Sequence, residues 1–190
     1  MQVQKDEMRN KILEAATEEF LVNGYSQSSL RNIAAQAGMT VGNVYSYFSG
    51  KDDLFKNVVL PALEQMNILL GLEMTAYSSL SSPTLAQITE IITNAFICNR
   101  AQFFILMNGS AGYQYENVKQ DITRLISKRL MLELFSKNSM SDPLLADAVA
   151  ISLLEGIITI FNGYGGDAER LKYLLKEFLF IVLGNLADDI

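Results

Sequence analysis

Residues 28–48 constrain the fold of this 190-residue chain more than any other stretch, because their apolar spacing is that of two short helices separated by one glycine. Leu30, Ile33, Ala34 and Ala37 recur at intervals that place them on one helical face, and Ser28 or Ser29 stands where an N-cap is wanted. Gly38 follows where a helix ends by swinging to positive φ, a conformation that costs glycine no Cβ clash. Thr40 then offers a hydroxyl to the unpaired N–H groups of a second helix, on which Val44 and Phe48, four residues apart, point inward. The small side chain of Ala34 lets the two helices approach closely, as a helix-turn-helix unit requires.

Val41, Gly42, Asn43, Tyr45, Ser46 and Tyr47 are left on the outer face of the second helix. Gly42 admits close approach of a partner, Asn43 can donate and accept at base edges, and Val41 or the Tyr45 ring suits a thymine methyl in the major groove. Thr40, Tyr47 and the helix N-terminus suit phosphate oxygens. Taken singly, Thr40 is also a plain cap and the tyrosines plain surface aromatics; it is the combination with the glycine turn that points to DNA.

The segment from about Asn10 to Leu60 resembles the N-terminal DNA-binding domain of the TetR family of bacterial transcriptional repressors. The resemblance lies in Ile12-Leu13-Glu14-Ala15-Ala16 with Phe20, Gly24-Tyr25, Ile33-Ala34, Ala37-Gly38-Met39-Thr40, Gly42, Tyr45-Ser46-Tyr47-Phe48 and Lys51-Asp52-Asp53-Leu54. It implies that Ser28, Arg31, Thr40, Tyr47 and Lys51 contact phosphates while Val41, Gly42, Asn43 and Tyr45 lie against the bases. Ser28-Ser29 stand where the family often has paired threonines, Met39 replaces a usual valine, and Asp52-Asp53 replace the usual glutamate. The resemblance covers under a third of the chain, and Val41 at a variable reading position leaves the operator sequence open.

A hydrophobic content of 49% with 19% charged residues is that of a globular chain. Lys5, Asp6, Glu7, Arg9 and Lys11 interrupt the start, so no secretory apolar region follows Met1. Glu155, Lys176 and Glu177 break the apolar runs near the C-terminus short of the ~18 to 20 residues a membrane span needs, so the expected location is cytoplasmic and no membrane partner is expected. Cys98, the single cysteine, follows Ala95-Phe96-Ile97 and is expected to be a buried, inert thiol. Histidine is absent, which removes the commonest general base and metal ligand. Gly163-Tyr164-Gly165-Gly166 lacks the Lys-Ser or Lys-Thr of a phosphate loop. No catalytic set, metal site or cofactor is expected.

The formal net charge of −6 is at odds with a polyanionic partner unless it is resolved locally. Residues 21–51 contain no Asp or Glu, and Arg31 and Lys51 are their only charges. Repulsion from acidic side chains beyond ~8 to 10 Å is largely screened at cellular salt. So few cations predict a modest salt dependence, with reliance on backbone N–H groups, hydroxyls and a second subunit.

Ser49, with Asp52 three residues on, is expected to start a helix with an acidic first turn. Pro61 should kink it or begin a new segment, with helix continuing to about Tyr77, and residues 78–83 have linker composition. Further helices are expected at 84–98, 100–108, 115–136, 143–162 and 167–186, with Val118, Ile122, Leu125 and Leu132 as an inner stripe and Lys119, Arg124 and Lys128 solvated. The expected architecture is all-α, with a three-helix helix-turn-helix domain at 1–55 joined to a helical ligand-binding and dimerisation domain at 56–190.

The last two helices are too apolar to be hidden in a small monomer, and their two-fold pairing would form a four-helix bundle that presents two reading helices roughly 34 Å apart. The resemblance to TetR-like repressors also implies an effector pocket, for which the candidates are Phe96, Asn99, Arg100, Phe103, Phe104, Met107, Tyr113, Glu155 and Thr159, with Tyr115 close in sequence. Aromatic and methionine side chains suit a mainly hydrophobic small molecule. Arg100 would pair with a carboxylate on that molecule or with Glu155. The expectation is a homodimer on a palindromic double-stranded DNA operator, released by the effector. The alternatives are an effector-independent DNA-binding protein, or a helical interaction or lipid-carrier module with a vestigial helix-turn-helix.

Overall fold

The computed structural model describes residues 2–71, 82–133 and 142–184, and every regular element among them is helical. The elements are α1 (Gln2–Gln27), α2 (Leu30–Gln36), α3 (Val41–Tyr45), α4 (Lys51–Gly71), α5 (Ser82–Cys98), α6 (Arg100–Asn108), α7 (Val118–Glu133), α8 (Pro143–Asn162) and α9 (Ala168–Leu179), the last followed by a π-helical turn (Phe180–Gly184). The chain forms two compact units, residues 1–65 with 99–118 and residues 66–98 with 119–190. The expected partition at residues 55 and 56 follows function along the chain, whereas these units follow packing, and α6 joins the helix-turn-helix segment.

In the first unit, Ile12, Ala15, Ala16 and Phe20 of α1 are buried with Ile33 and Ala34 of α2, Val44 and Phe48 around α3, and Leu54, Phe55, Val58, Val59 and Ala62 of α4. Phe20 meets Phe55 edge-on, with ring centroids 4.9 Å apart. Each fully buried side chain of this size contributes about 1.5–3 kcal/mol through its removal from water. Ser29 caps α2 by accepting from the Asn32 N–H at 3.1 Å. The helix closes through Gly38 at φ 70°, where Gly38 N–H donates to Ala35 O at 3.1 Å and Met39 N–H to Ala34 O at 2.8 Å. That pair of bonds satisfies two carbonyls at the helix end and aims the chain into α3.

Alpha4 begins at Lys51, two residues later than the Ser49 start expected from sequence, and the Ser49 N–H donates to the Asp53 carboxylate at 2.8 Å. Asp53, not Asp52, is therefore the reciprocal partner at this helix start. Pro61 lies inside α4, so no new segment begins there. The expected continuation to Tyr77 and the linker at 78–81 fall outside the described residues, while Ser82 and Pro83 open α5.

In the second unit, Leu130, Ala146, Ala150, Leu153 and Leu179 form a core against which Ile88, Ile92, Ile126 and Phe178 pack. Phe96 stacks on Phe161 with centroids 3.7 Å apart and planes 8° from parallel. Leu171, Leu175 and Leu179, four apart, form the buried stripe of α9. The inner face of α7 differs from the expected one, since Leu125 and Leu132 are exposed while Ile122, Ser127 and Leu130 are buried. Ser127 donates to Asp147 at 2.6 Å, so a polar pair occupies part of a face that an apolar pattern cannot reveal. Lys119 meets Glu155 at 3.4 Å, while Arg124, 3.1 Å from Asp121, and Lys128 are exposed as expected.

Cys98 is exposed, contrary to expectation, because Phe96 rather than its neighbours takes the inward position near the end of α5. Alpha8, at 20 residues with mean hydropathy 2.0, is long and apolar enough to cross a membrane by length and composition, so the interruption at Glu155 does not shorten it below a span. Its Ala146, Ala150, Leu153, Leu154, Ile158 and Phe161 are buried within the protein.

Candidate nucleic-acid interface

Thr40 sits in extended backbone and accepts from the Asn43 N–H at 3.2 Å, which fixes the start of α3. Val44 and Phe48 anchor this short helix in the core at 1% and 2% exposure. With those two inward, Gly42, Asn43, Tyr45 and Ser46 are exposed, and Val41 and Tyr47 are half-buried. Ser46 donates to Gly42 O at 3.2 Å. Arg31 is exposed on α2. Of the residues expected to touch bases, Gly42, Asn43 and Tyr45 are exposed and Val41 is half-buried, and Thr40, Tyr47 and Arg31 lie on the same helix pair.

Two of the expected phosphate contacts have other duties. Ser28 is buried, and its hydroxyl donates to the Gly24 carbonyl. The Lys51 ammonium donates to Tyr25 O at 2.8 Å and Ser28 O at 3.1 Å, and stands 4.3 Å from the centre of the Tyr25 ring. It therefore caps the carbonyl end of α1, where a cation is favoured by the unpaired carbonyls. Both residues thus make bonds around the end of α1 and the start of α2.

Sequence reasoning missed Glu19. Its carboxylate is 8% exposed and accepts from the Ser29 N–H at 3.2 Å and the Asn32 side-chain amide at 3.1 Å, tying α1 to the start of α2. An acidic side chain at a helix N-terminus also meets favourable backbone charge. A Glu on the apolar face of α1, between Ala16 and Phe20, is the one signal that pointed to it.

A second missed group surrounds Tyr25. The Tyr25 hydroxyl donates to the Asp52 carboxylate, and Tyr113 donates to Asp52 O at 3.2 Å. The Tyr25 ring packs 5.1 Å from Phe55 and 4.8 Å from Tyr113, centre to centre. Burial, followed by the Asp52 carboxylate, pushes the Tyr25 phenol up to about 12. Burial, followed by Tyr115 and Asp52, raises Tyr113 as well. Beside them α1 breaks at Gly24, with φ 65° and ψ 178°, and the Tyr25 N–H donates to Gly109 O at 2.7 Å.

The expected effector residues are divided between the two units. Asn99, Arg100, Phe103, Phe104, Met107 and Tyr113 belong to the first, and Phe96, Glu155 and Thr159 to the second. Tyr113 packs with Tyr25, Phe55 and Tyr115, and Met107 is buried. Phe103 and Phe104 meet edge-on, and the Arg100 guanidinium lies 5.9 Å from the Phe104 ring centre. Glu155 pairs with Lys119, and Thr159 donates to Glu155 O at 2.8 Å.

A short helix anchored by Val44 and Phe48, capped by Thr40 and set against α2 through a glycine turn defines a helix-turn-helix unit. Residues 12–58 match the family described as bacterial regulatory proteins, tetR family. The chain is 37% identical over 75 residues to the fatty acid metabolism regulator protein of Bacillus subtilis, a match covering 37% of this chain and 39% of that protein. It is 43% identical over 53 residues to the HTH-type transcriptional repressor BepR of Brucella suis, covering 28% of this chain and 25% of that protein. The matches thus span well under half the length of these relatives. A solved member of the TetR transcriptional regulator family from Streptomyces coelicolor has the same fold, with TM-score 0.69 at 16% identity over 91% of this chain and 89% of that one.

Proposed function

We propose that the protein is a homodimeric transcriptional repressor that binds a palindromic operator through α3 and is released by a small, mainly hydrophobic effector. The observation that carries the reading is the outward face of α3, where Gly42, Asn43 and Tyr45 are exposed while Val44 and Phe48 are locked in the core. Val41, Gly42, Asn43 and Tyr45 meet base edges, and Arg31, Thr40, Tyr47 and the N-terminus of α3 meet phosphates. Ser28 and Lys51 make their bonds around the end of α1 and the start of α2.

Dimerisation is supported by apolar side chains left exposed on the last two helices. Leu144 and Ile151 are 74% and 53% exposed, and Tyr173 and Phe180 are 62% and 50% exposed. Each pair is seven residues apart, two helical turns, which makes a stripe along one side. A two-fold pairing of these stripes presents two reading helices about one DNA turn apart. An effector favouring the non-binding state by ~1 to 3 kcal/mol changes operator affinity about 5- to 150-fold.

The test is selection of bound fragments from a random duplex pool by the purified protein, followed by sequencing. An enriched two-fold symmetric site supports a dimeric, sequence-specific regulator. The absence of enrichment at low salt overturns the reading in favour of an interaction or carrier module.

A further inference from the structure

We infer that Lys5 and Lys11 of α1 supply cations that grip the DNA backbone beside the reading helix, an inference that rests on the DNA-binding reading above. A groove of about 550 Å³ lies against α3, and Lys5, Met8 and Lys11 form one wall while Asn43, Ser46 and Tyr47 contribute to the other. Asn43 and Ser46 belong both to this groove and to the exposed side of α3.

The cations of the first 55 residues are Lys5, Arg9, Lys11, Arg31 and Lys51. Lys51 is held on the Tyr25 and Ser28 carbonyls, and Arg9 donates to Asn57 Oδ1 at 2.7 Å with its guanidinium 5.2 Å from the Phe48 ring centre. Lys5 and Lys11 are exposed, and neither forms an ion pair with another described residue. At 3.6 residues per turn, Lys5 and Lys11 lie about 60° to either side of Met8, Asp6 points to the opposite face, and Glu7 stands at the outer edge about 40° beyond Lys11. The two ammonium groups thus flank a single groove, and their flexible stems reach phosphate oxygens as point charges.

The test measures binding of the selected duplex and of a scrambled duplex over a range of salt concentrations, for the wild type and for Lys5→Gln with Lys11→Gln. The double variant lowers affinity for both duplexes by the same factor and reduces the slope of log K against log salt by about 1.8 per chain. Lys5→Arg with Lys11→Arg restores the slope, and Lys128→Gln, an exposed lysine outside the groove, leaves it unchanged. Unaltered far-UV circular dichroism assigns the loss to charge and not to folding. A wild type that binds the selected site while the double variant keeps its slope overturns this inference alone. A wild type that binds no duplex overturns it together with the DNA reading.

Discussion

The Tyr25 N–H donates to the Gly109 carbonyl at 2.7 Å, so the end of α1 and the turn after α6 are joined backbone to backbone across 84 positions of sequence. The approach depends on glycine at both sides. A Cβ on Gly109 would stand 2.9 Å from Ile105 O and 3.4 Å from both Gly24 Cα and Phe20 O. A Cβ on Gly24, at φ +65°, would stand 3.3 Å from Gly109 O.

Gly109→Ala therefore forces backbone apart rather than a pliable side chain. It should destabilise the protein by about 1–3 kcal/mol, the usual cost of overpacking. Urea unfolding monitored by circular dichroism measures this, and an unchanged midpoint would show that the two turns separate freely.

Lys51→Met removes the ammonium from the Tyr25 and Ser28 carbonyls. Hydrogen bonds to a charged group contribute about 1.5–3 kcal/mol when lost, and the partial exposure of Lys51 favours the lower end. The expected result is a lower melting temperature with little change in the salt slope of DNA binding. A variant of native stability whose slope falls by about one would return Lys51 to the phosphate contacts.

Glu19→Ala leaves the Ser29 N–H and the Asn32 amide without their acceptor in a buried place. Unpaired buried donors cost about 1–3 kcal/mol each, and solvent reaching the cavity reduces the sum. Thermal unfolding should show this loss, whereas Glu18→Ala, on the exposed side of α1, should leave the midpoint nearly unchanged.

The Tyr25 phenol titrates near pH 12 in the folded protein, raised by burial and by the Asp52 carboxylate from an ordinary value of 10.0. Below pH 10 the phenol is protonated whether the chain is folded or not. Between 10 and 12 the unfolded chain has released its proton and the folded chain keeps it, so stability falls as pH rises through that window. Tyrosinate absorbance of the wild type minus that of Tyr25→Phe should rise near pH 12. A difference that rises near pH 10 would mean that Tyr25 is neither buried nor bonded to Asp52 in solution.

The helix-turn-helix was legible because its signals are local. Leu30, Ile33, Ala34, Gly38, Thr40, Val44 and Phe48 lie within nineteen consecutive residues and use spacing, capping and positive φ. Gly109 and Tyr113 were not assigned to the first unit because their partners are Gly24, Tyr25, Asp52 and Phe55, far away in sequence and without a periodic pattern. Alpha7 misled because the buried Ser127, bonded to the exposed Asp147, stands on its inner face while Leu125 and Leu132 remain exposed. The bonds from the Lys51 ammonium to the Tyr25 and Ser28 carbonyls had no sequence signal, because they join positions 26 and 23 residues apart without a periodic pattern.

The claim that the outward face of α3 reads DNA is tested most directly by the affinity ratio between the selected and scrambled duplexes, for the wild type, Asn43→Ala and Tyr45→Ala. Loss of a base contact should lower that ratio by about 1–3 kcal/mol, roughly 5- to 150-fold, with the weaker binding confined to the selected duplex. A ratio equal to that of the wild type in both variants would contradict the account and place sequence recognition elsewhere on the protein.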